Sequence, residues 1–302
     1  MTGRIRTGVG SRYRMSESVA SAFPSHDLIV AMVVRAVATT GIYCRTDCGA
    51  RPDRRNVSEF ALPAAAEAAG YRACHRCRPY RFDEPPGAIG PELVCTVLRL
   101  VCDGALDDRT ESDLGATVGV SPRHLRRLFV EHLGVTPDGL ARSRRAHFAR
   151  RLLDETDLPV TDVAFAAGYG SVRQFQRACR DTFGESPSEL RSRRRSSDRI
   201  PVASGLSLRI PRPEGQDATL HPPGLDPRAP AGVELRGGSL RCPIEPPEGP
   251  GHLELSELDG EHLELHVELE HWHGLLHVVR LAKGLAGLLP RPGAAVAGPA
   301  VA

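Results

Sequence analysis

Four cysteines in two close pairs, Cys44-x3-Cys48 and Cys74-x2-Cys77, separated by 25 residues, constrain this chain more than any other feature. Two such pairs can bring four thiolates to one tetrahedral Zn2+. A module of roughly 50 residues has little apolar core of its own, so metal binding supplies much of its folding free energy. On spacing alone the commoner outcome is a closed structural site, because a catalytic zinc usually keeps one position open. Eight cysteines in a chain of 302 residues point to metal or reactive thiols rather than to disulfides.

The segment around these pairs reads as one small module. Leu28 to Tyr43 is apolar and β-branched, as in one or two short strands, and Pro63 to Ala69 reads as a short Ala-rich helix between the cysteine pairs. Residues 1–26 are rich in Gly, Ser and Arg without apolar periodicity and read as a poorly ordered arm. Asp83-Glu84-Pro85-Pro86-Gly87 reads as a linker.

From Pro91 to Arg195 the pattern is helical and repeats at an offset of 50 residues. Ser121 aligns with Ser171, Leu125 with Phe175, Phe129 with Cys179, Leu133 with Phe183, Gly134 with Gly184 and Pro137 with Pro187. Each unit has a short helix (near Ser112 to Val118; Thr161 to Ala167), a glycine turn, and a second helix opened by a Ser N-cap. That is the order of a helix-turn-helix, here present twice. In the first recognition helix Leu125, Leu128, Phe129 and Leu133 form the inner stripe and leave Arg123, His124, Arg126 and Arg127 outside. In the second, Val172, Phe175, Cys179 and Phe183 are inside, and Arg173, Gln174, Gln176, Arg177 and Arg180 are outside. Residues 121–151 hold 8 basic and 2 acidic side chains, the electrostatic footprint of a DNA-binding element. A helix over Pro137 to Glu155 would span about 28 Å, close to the ~34 Å turn of B-DNA, so the two units can address successive major grooves.

The net charge of +2 conceals two poles: residues 1–199 carry 31 basic and 24 acidic side chains (+7), the remainder 8 and 13 (−5). The longest apolar run, Leu28 to Val34, is far short of the ~20 residues of a membrane helix, and no secretory signal pattern opens the chain, so it reads as cytoplasmic.

After Arg199 the texture changes, with 11 prolines in residues 201–250. Leu263, Leu265, Val267 and Leu269 then alternate with polar neighbours, the period of a half-buried strand, and His273 to Leu288 is apolar at helical spacing. The pairs His262/His266 and His273/His277 have an i, i+4 spacing, but the first lies in the alternating strand; both read as solvated histidines rather than metal ligands.

The residues around the cysteines carry a resemblance. Thr39-Thr40-Gly41-Ile42-Tyr43-Cys44-Arg45, Cys48, Ala50-Arg51, Arg55-Asn56-Val57, Ala68-Ala69-Gly70-Tyr71-Arg72 and Cys74-His75-Arg76-Cys77-Arg78-Pro79 closely resemble the zinc domain of the Ada family of DNA alkylation-repair proteins. The resemblance implies one Zn2+ held by Cys44, Cys48, Cys74 and Cys77, with Cys44 as the catalytic methyl acceptor from a DNA methylphosphotriester, and Thr40, Arg51 and Arg76 near the DNA phosphate. Thr46-Asp47 stands where the family has Pro-Ser, which places a carboxylate beside the nucleophile.

Val163-Ala164-Phe165-Ala166-Ala167-Gly168-Tyr169-Gly170-Ser171, with Phe183-Gly184 and Ser186-Pro187-Ser188-Glu189-Leu190, resembles the AraC-type DNA-binding domain. This implies promoter binding and transcription regulation, with RNA polymerase as a further partner. The DNA-facing residues there are Arg123, His124, Arg126, Arg127, Ser171, Arg173, Gln174 and Arg177. Leu206-Ser207-Leu208-Arg209-Ile210-Pro211 and Gly251-His252-Leu253-Glu254-Leu255 are similar, more weakly, to the N-terminal accessory domain of AlkA-type 3-methyladenine DNA glycosylases, and the chain reads as a truncated fusion without glycosylase activity.

The expected fold is therefore multidomain α+β: a zinc-binding module (27–82), an all-α double helix-turn-helix domain (90–195), a small α+β accessory domain (203–289) and a tail (290–302). The expected function is single-turnover repair at Cys44 coupled to promoter binding on double-stranded DNA. The alternatives are a zinc-stabilised AraC-family transcription factor in which Cys44 is only a ligand, and a truncated glycosylase fusion in base excision repair.

Overall fold

The structure, a computed structural model, describes residues 33–81, 91–107, 109–202, 204–212, 232–245 and 249–288. The arm (1–26), the linker (83–87) and the tail (290–302) lie outside the described residues.

Near the N-terminus β1 (Val34–Val37) and β2 (Ile42–Arg45) form a hairpin in which Arg35 faces Cys44. Gly41, at φ +64°, closes its turn in the left-handed region that favours glycine. β3 (Val57–Phe60) joins the outer edge of β1, and the two-residue β4 (Arg72–Ala73) runs parallel to β2, giving the order β3-β1-β2-β4. Between β3 and β4 lies helix α1 (Pro63–Ala68), whose Pro63 suits a first turn that needs no N–H donor.

Seven helices follow: α2 (Glu92–Cys102), α3 (Glu111–Val118), α4 (Pro122–Leu133), α5 (Pro137–Glu155), α6 (Val160–Ala166), α7 (Val172–Phe183) and α8 (Pro187–Ser192). The 50-residue repeat is structural. Ser121 and Ser171 cap α4 and α7 by accepting the N–H of His124 and Gln174, each at 3.3 Å. Gly134 and Gly184 end the same helices at φ +70° and +77°. The inner stripes are narrower than the sequence suggests: Leu128 and Val172 are only half-buried, because each lies at the margin of its apolar face.

Helix α5 is buried on nearly every side because it divides two apolar clusters. Leu140 and Ala141 join Leu125, Phe129 and Leu133 of the first unit, and Phe148, Ala149, Leu152 and Leu153 join Phe175 and Phe183 of the second. Helix α1 straddles the same division, with Ala64 and Ala65 in the first cluster and Ala66 in the second.

The C-terminal part forms an antiparallel sheet of β5 (Leu206–Pro211), β6 (Glu234–Arg236), β7 (Ser239–Ile244), β8 (Gly251–Asp259) and β9 (His262–Leu269) in the order β5-β9-β8-β7-β6. Helix α9 (Leu275–Leu285) contributes Leu275, Val278 and Val279 to the apolar cluster that contains the sheet's Leu253, Leu265 and Val267. That cluster is continuous with the second helix-turn-helix unit, and Phe165 of α6 stacks on His273 at 4.8 Å. Leu263, Leu265 and Val267 are buried as their alternation requires, whereas Leu269 at the strand's end is half-buried.

A buried ionic junction ties the three parts together. Arg78 pairs with Asp198 and lies 3.7 Å from Asp154, Arg81 bonds both carboxylates at 3.0 and 3.3 Å, and Arg150 meets Asp154 at 2.9 Å. Arg209 of β5 donates to the Asp198 carbonyl at 2.6 Å, and its own N–H reaches Glu155 at 3.0 Å. Buried charges survive only when paired in this way.

Candidate metal centre

Each cysteine is delivered by a different local device. Cys44 rides on β2, one of the two inner strands, and Cys48 follows in a turn closed by its N–H bonding the Arg45 carbonyl at 3.2 Å. The Cys74 N–H donates to the Tyr43 carbonyl at 3.0 Å, extending the β2/β4 pairing by one residue. Cys77 is set by a turn ending at Arg78, which takes φ +48° as the one non-glycine residue in the left-handed region among the described residues. The four Sγ atoms lie within 4.8 Å of one another, and among the described residues they are the one group of His, Cys, Asp and Glu side chains so gathered. Tetrahedral zinc with Zn–S near 2.3 Å would set sulfurs about 3.8 Å apart, so the cluster fits one Zn2+.

The donor chemistry agrees. Hydrogen bonding to Cys77 and then burial push the Cys44 thiol far up, while that same bond pulls Cys77 down to about 6, helped by the Arg45 N–H at 3.5 Å. Without a cation the sulfurs share protons, because four adjacent thiolates repel; a divalent metal removes that conflict. Cys44 is the most enclosed of the four at 8% exposure, the others being half-buried.

Around the cluster, Thr40, Arg51 and Arg76 are exposed, and the Arg76 guanidinium packs against Gly49. Asp47, the extra carboxylate, is bonded by Arg45 at 2.6 Å, which offsets its charge beside the sulfurs. Behind the cluster Tyr43 is fully buried and donates to Glu67 Oε1 at 2.6 Å; His147 of α5 meets the same oxygen through Nε2 at 2.6 Å. Burial, then Glu67, hold the Tyr43 phenol well above its ordinary value, so it remains a donor. Neither Glu67 nor His147 is legible as a site residue in the sequence, since 80 residues separate them and no spacing joins them.

On the helices Arg123, Arg127, Arg173, Gln174 and Arg177 are exposed, and His124 and Ser171 are half-buried. Arg126 differs: it is tied to Glu111, a buried carboxylate that also accepts the Asp138 N–H at 3.0 Å. Arg177 lies 3.6 Å from Asp181, an exposed pair that leaves it available. The histidine pairs hold no metal-like cluster: His262 bonds Asp259 at 2.9 Å, His266 bonds Ser207 at 3.1 Å, and His273 stacks on Phe165.

Comparison with known proteins gives these geometries a context. Residues 27–80 match the family described as the metal binding domain of Ada, and residues 114–193 match a helix-turn-helix domain. The chain is 35% identical over 278 residues to the probable bifunctional transcriptional activator/DNA repair enzyme AlkA of Mycobacterium tuberculosis, covering 87% of this chain and 54% of that protein. It is 33% identical over 162 residues to the bifunctional transcriptional activator/DNA repair enzyme Ada of Escherichia coli, covering 52% of this chain and 44% of that protein. The chain thus spans about half the length of the curated relatives it matches. A solved methylated N-ADA/DNA complex shares 34% identity over 43% of this chain and 94% of that one, at a TM-score of 0.17. The segment that holds the four-cysteine centre thus matches the metal binding domain of Ada, the segment that holds the paired helices matches a helix-turn-helix domain, and over these parts the chain is similar to the Ada-type bifunctional regulators.

Proposed function

We propose that this protein repairs methylated DNA backbone phosphates once per molecule, through Cys44, and binds promoter DNA through its AraC-type helices to regulate transcription. The observation that carries the reading is a buried Cys44 inside a four-thiolate cluster, in a segment that matches the metal binding domain of Ada. When bound, Zn2+ keeps all four sulfurs deprotonated at neutral pH, and three companion thiolates preserve the nucleophilicity of the fourth. The Cys44 sulfur attacks the methyl carbon of a methylphosphotriester. A C–S bond forms, the C–O bond breaks, and its electron pair stays on the phosphate oxygen. The products are an ordinary phosphodiester anion and a neutral thioether, which no residue of the cluster reverses.

Thr40, Arg51 and Arg76 would hold the flanking phosphates, and Arg123, His124, Arg127, Ser171, Arg173, Gln174 and Arg177 the promoter; Arg126 serves Glu111 first. The domains would be 27–82, 90–195 and 203–289, the last as an AlkA-type accessory domain whose described part is a sheet with one helix. RNA polymerase would be the partner of the promoter-bound form.

The enclosure of Cys44 favours a second reading, a zinc-stabilised transcription factor without methyl transfer. Intact mass decides between them. After incubation with methylphosphotriester duplex, one added methyl (about 14 Da) on Cys44, lost in Cys44→Ala, supports repair. No gain with zinc bound supports the second reading, and label on Cys48, Cys74 or Cys77 overturns the role of Cys44.

A further inference from the structure

Tyr43 occupies a pivotal position. Its backbone leads directly into Cys44, and its carbonyl accepts the N–H of Cys74, so two of the four sulfurs hang from this one residue. Its side chain points away from the cluster, as strand alternation requires of the residue before Cys44. There the phenol is fastened to Glu67 Oε1 at 2.6 Å, Glu67 is fastened to His147 at 2.6 Å, and the His147 Nε2 itself lies 3.4 Å from the phenol oxygen. The Glu67 carboxylate only accepts, so His147 donates from Nε2. Tyr43 comes from β2, Glu67 from α1 and His147 from α5, the long helix joining the two helix-turn-helix units. The His147 and Glu67 side chains are 15% and 11% exposed, so water competes little for these bonds. The Phe183 ring, 6.1 Å from that of His147 and 5.8 Å from that of Tyr80, closes the far side.

We propose that Glu67 and His147 are positioning residues for the Cys44 sulfur: acting through Tyr43, they fix strand β2 from behind and make the helix-turn-helix domain part of the apparatus that aims the nucleophile. The proposal rests on Cys44 being the methyl acceptor. A nucleophile displaced by a fraction of an ångström loses rate steeply, whereas metal binding by four sulfurs tolerates such a shift.

The test uses the full chain loaded with zinc, with metal content measured for every variant. Single-turnover methylation of Cys44 is followed by intact mass with two donors, a duplex carrying one methylphosphotriester and iodomethane without DNA. Glu67→Ala and His147→Ala are expected to slow transfer from the duplex on the order of tenfold while retaining one zinc, and to leave the iodomethane rate near that of the wild type, because a freely diffusing donor needs no aimed sulfur. The half-saturating DNA concentration is expected to stay unchanged. Glu67→Gln and His147→Gln, which keep the acceptor and the donor, recover most of the rate. The double alanine variant is slower than either single variant but by less than the product of the two effects, because the three side chains form one network.

Wild-type rates on the duplex in the alanine variants overturn the proposal. So does a slowing that merely tracks lost zinc, or one shared equally by iodomethane, which would mean lost nucleophilicity or access rather than lost aim. If the wild-type protein reacts with iodomethane but not with phosphotriester DNA, the repair reading fails and the positioning role falls with it, whereas a wild-type protein active on DNA with unchanged alanine variants overturns the positioning role alone. A wild-type Cys44 inert to both donors overturns both.

Discussion

Arg78, the residue after the last cluster cysteine, donates from Nη1 to the carboxylate of Asp198, 120 residues later in the chain. Both side chains are buried, at 7% and 6% exposure, and the Arg78 backbone is left-handed. The loop that holds Cys77 is thereby braced by the segment leading into the C-terminal sheet.

Asp198→Ala should therefore destabilise the protein by about 3–5 kcal/mol, since it leaves Arg78 charged and poorly paired in the interior. The same pair predicts an acid-sensitive step. Burial alone would raise the Asp198 carboxyl, but the bonds from Arg78 and the Arg195 N–H, with Arg81 nearby, outweigh it and hold it below its ordinary value. A depressed carboxylate adds stability that is complete above the unfolded value of about 3.9 and is lost as pH falls through the folded value. Thermal melts from pH 6 down to pH 3 should show a steeper loss for the wild-type protein than for Asp198→Ala; parallel curves would mean that the pair contributes nothing.

Metal removal should act beyond the zinc module. The cluster's sheet has one short helix, α1, and its Ala64, Ala65 and Ala66 sit in both helix-turn-helix cores. A strong chelator, or Cys48→Ala, should lower the melting temperature and raise amide exchange along α1 and α5 as well as in β1 to β4. Exchange confined to residues 33–81 would show that the module loosens by itself.

How much of this was legible in sequence follows from range. Cysteine spacing, Ser caps, glycine stops and apolar periods act within a few residues, so the cluster, the 50-residue repeat and the limits Pro137–Glu155 could be read directly. Strand β3 is too short at four residues to show a period, and the alternation of Leu240, Cys242 and Ile244 in β7 is masked by Pro243, a residue that argues against a strand interior. The Glu67–His147 link and the Arg78–Asp198 junction join residues 80 and 120 positions apart, where no local pattern exists. Arg126 looked like its neighbours Arg123 and Arg127, and only the fold reveals the carboxylate that holds it.

That difference separates two classes of arginine variant. Arg173→Ala and Gln174→Ala, both exposed near the start of α7, should cost sequence preference by about 1–3 kcal/mol at one or two base positions. Arg126→Ala should instead lower thermal stability, because Glu111 would remain buried without its cation, keeping only the Asp138 N–H. Arg51→Ala should weaken binding to all sequences alike and reduce the salt slope by about one. Binding titrations against a set of single-base promoter variants distinguish these outcomes; a uniform loss in Arg173→Ala would remove it from base reading.

Methylation should change the affinity for DNA through charge. The zinc-loaded cluster carries four thiolates against one divalent cation, a net negative site on a surface that also presents Thr40, Arg51 and Arg76. Converting Cys44 to a thioether removes one negative charge while leaving the arginine-bearing helices untouched. Asp47 does not undo the effect, because Arg45 already offsets it. Methylated protein should therefore bind promoter DNA more tightly than unmodified protein. The gain should shrink as salt rises, since the Debye length falls from about 10 Å at 0.1 M to about 3 Å at 1 M. A gain independent of salt would point to a rearrangement transmitted through Tyr43 and α5 instead of repulsion, and equal affinities at every salt concentration would mean that repair is not coupled to promoter binding.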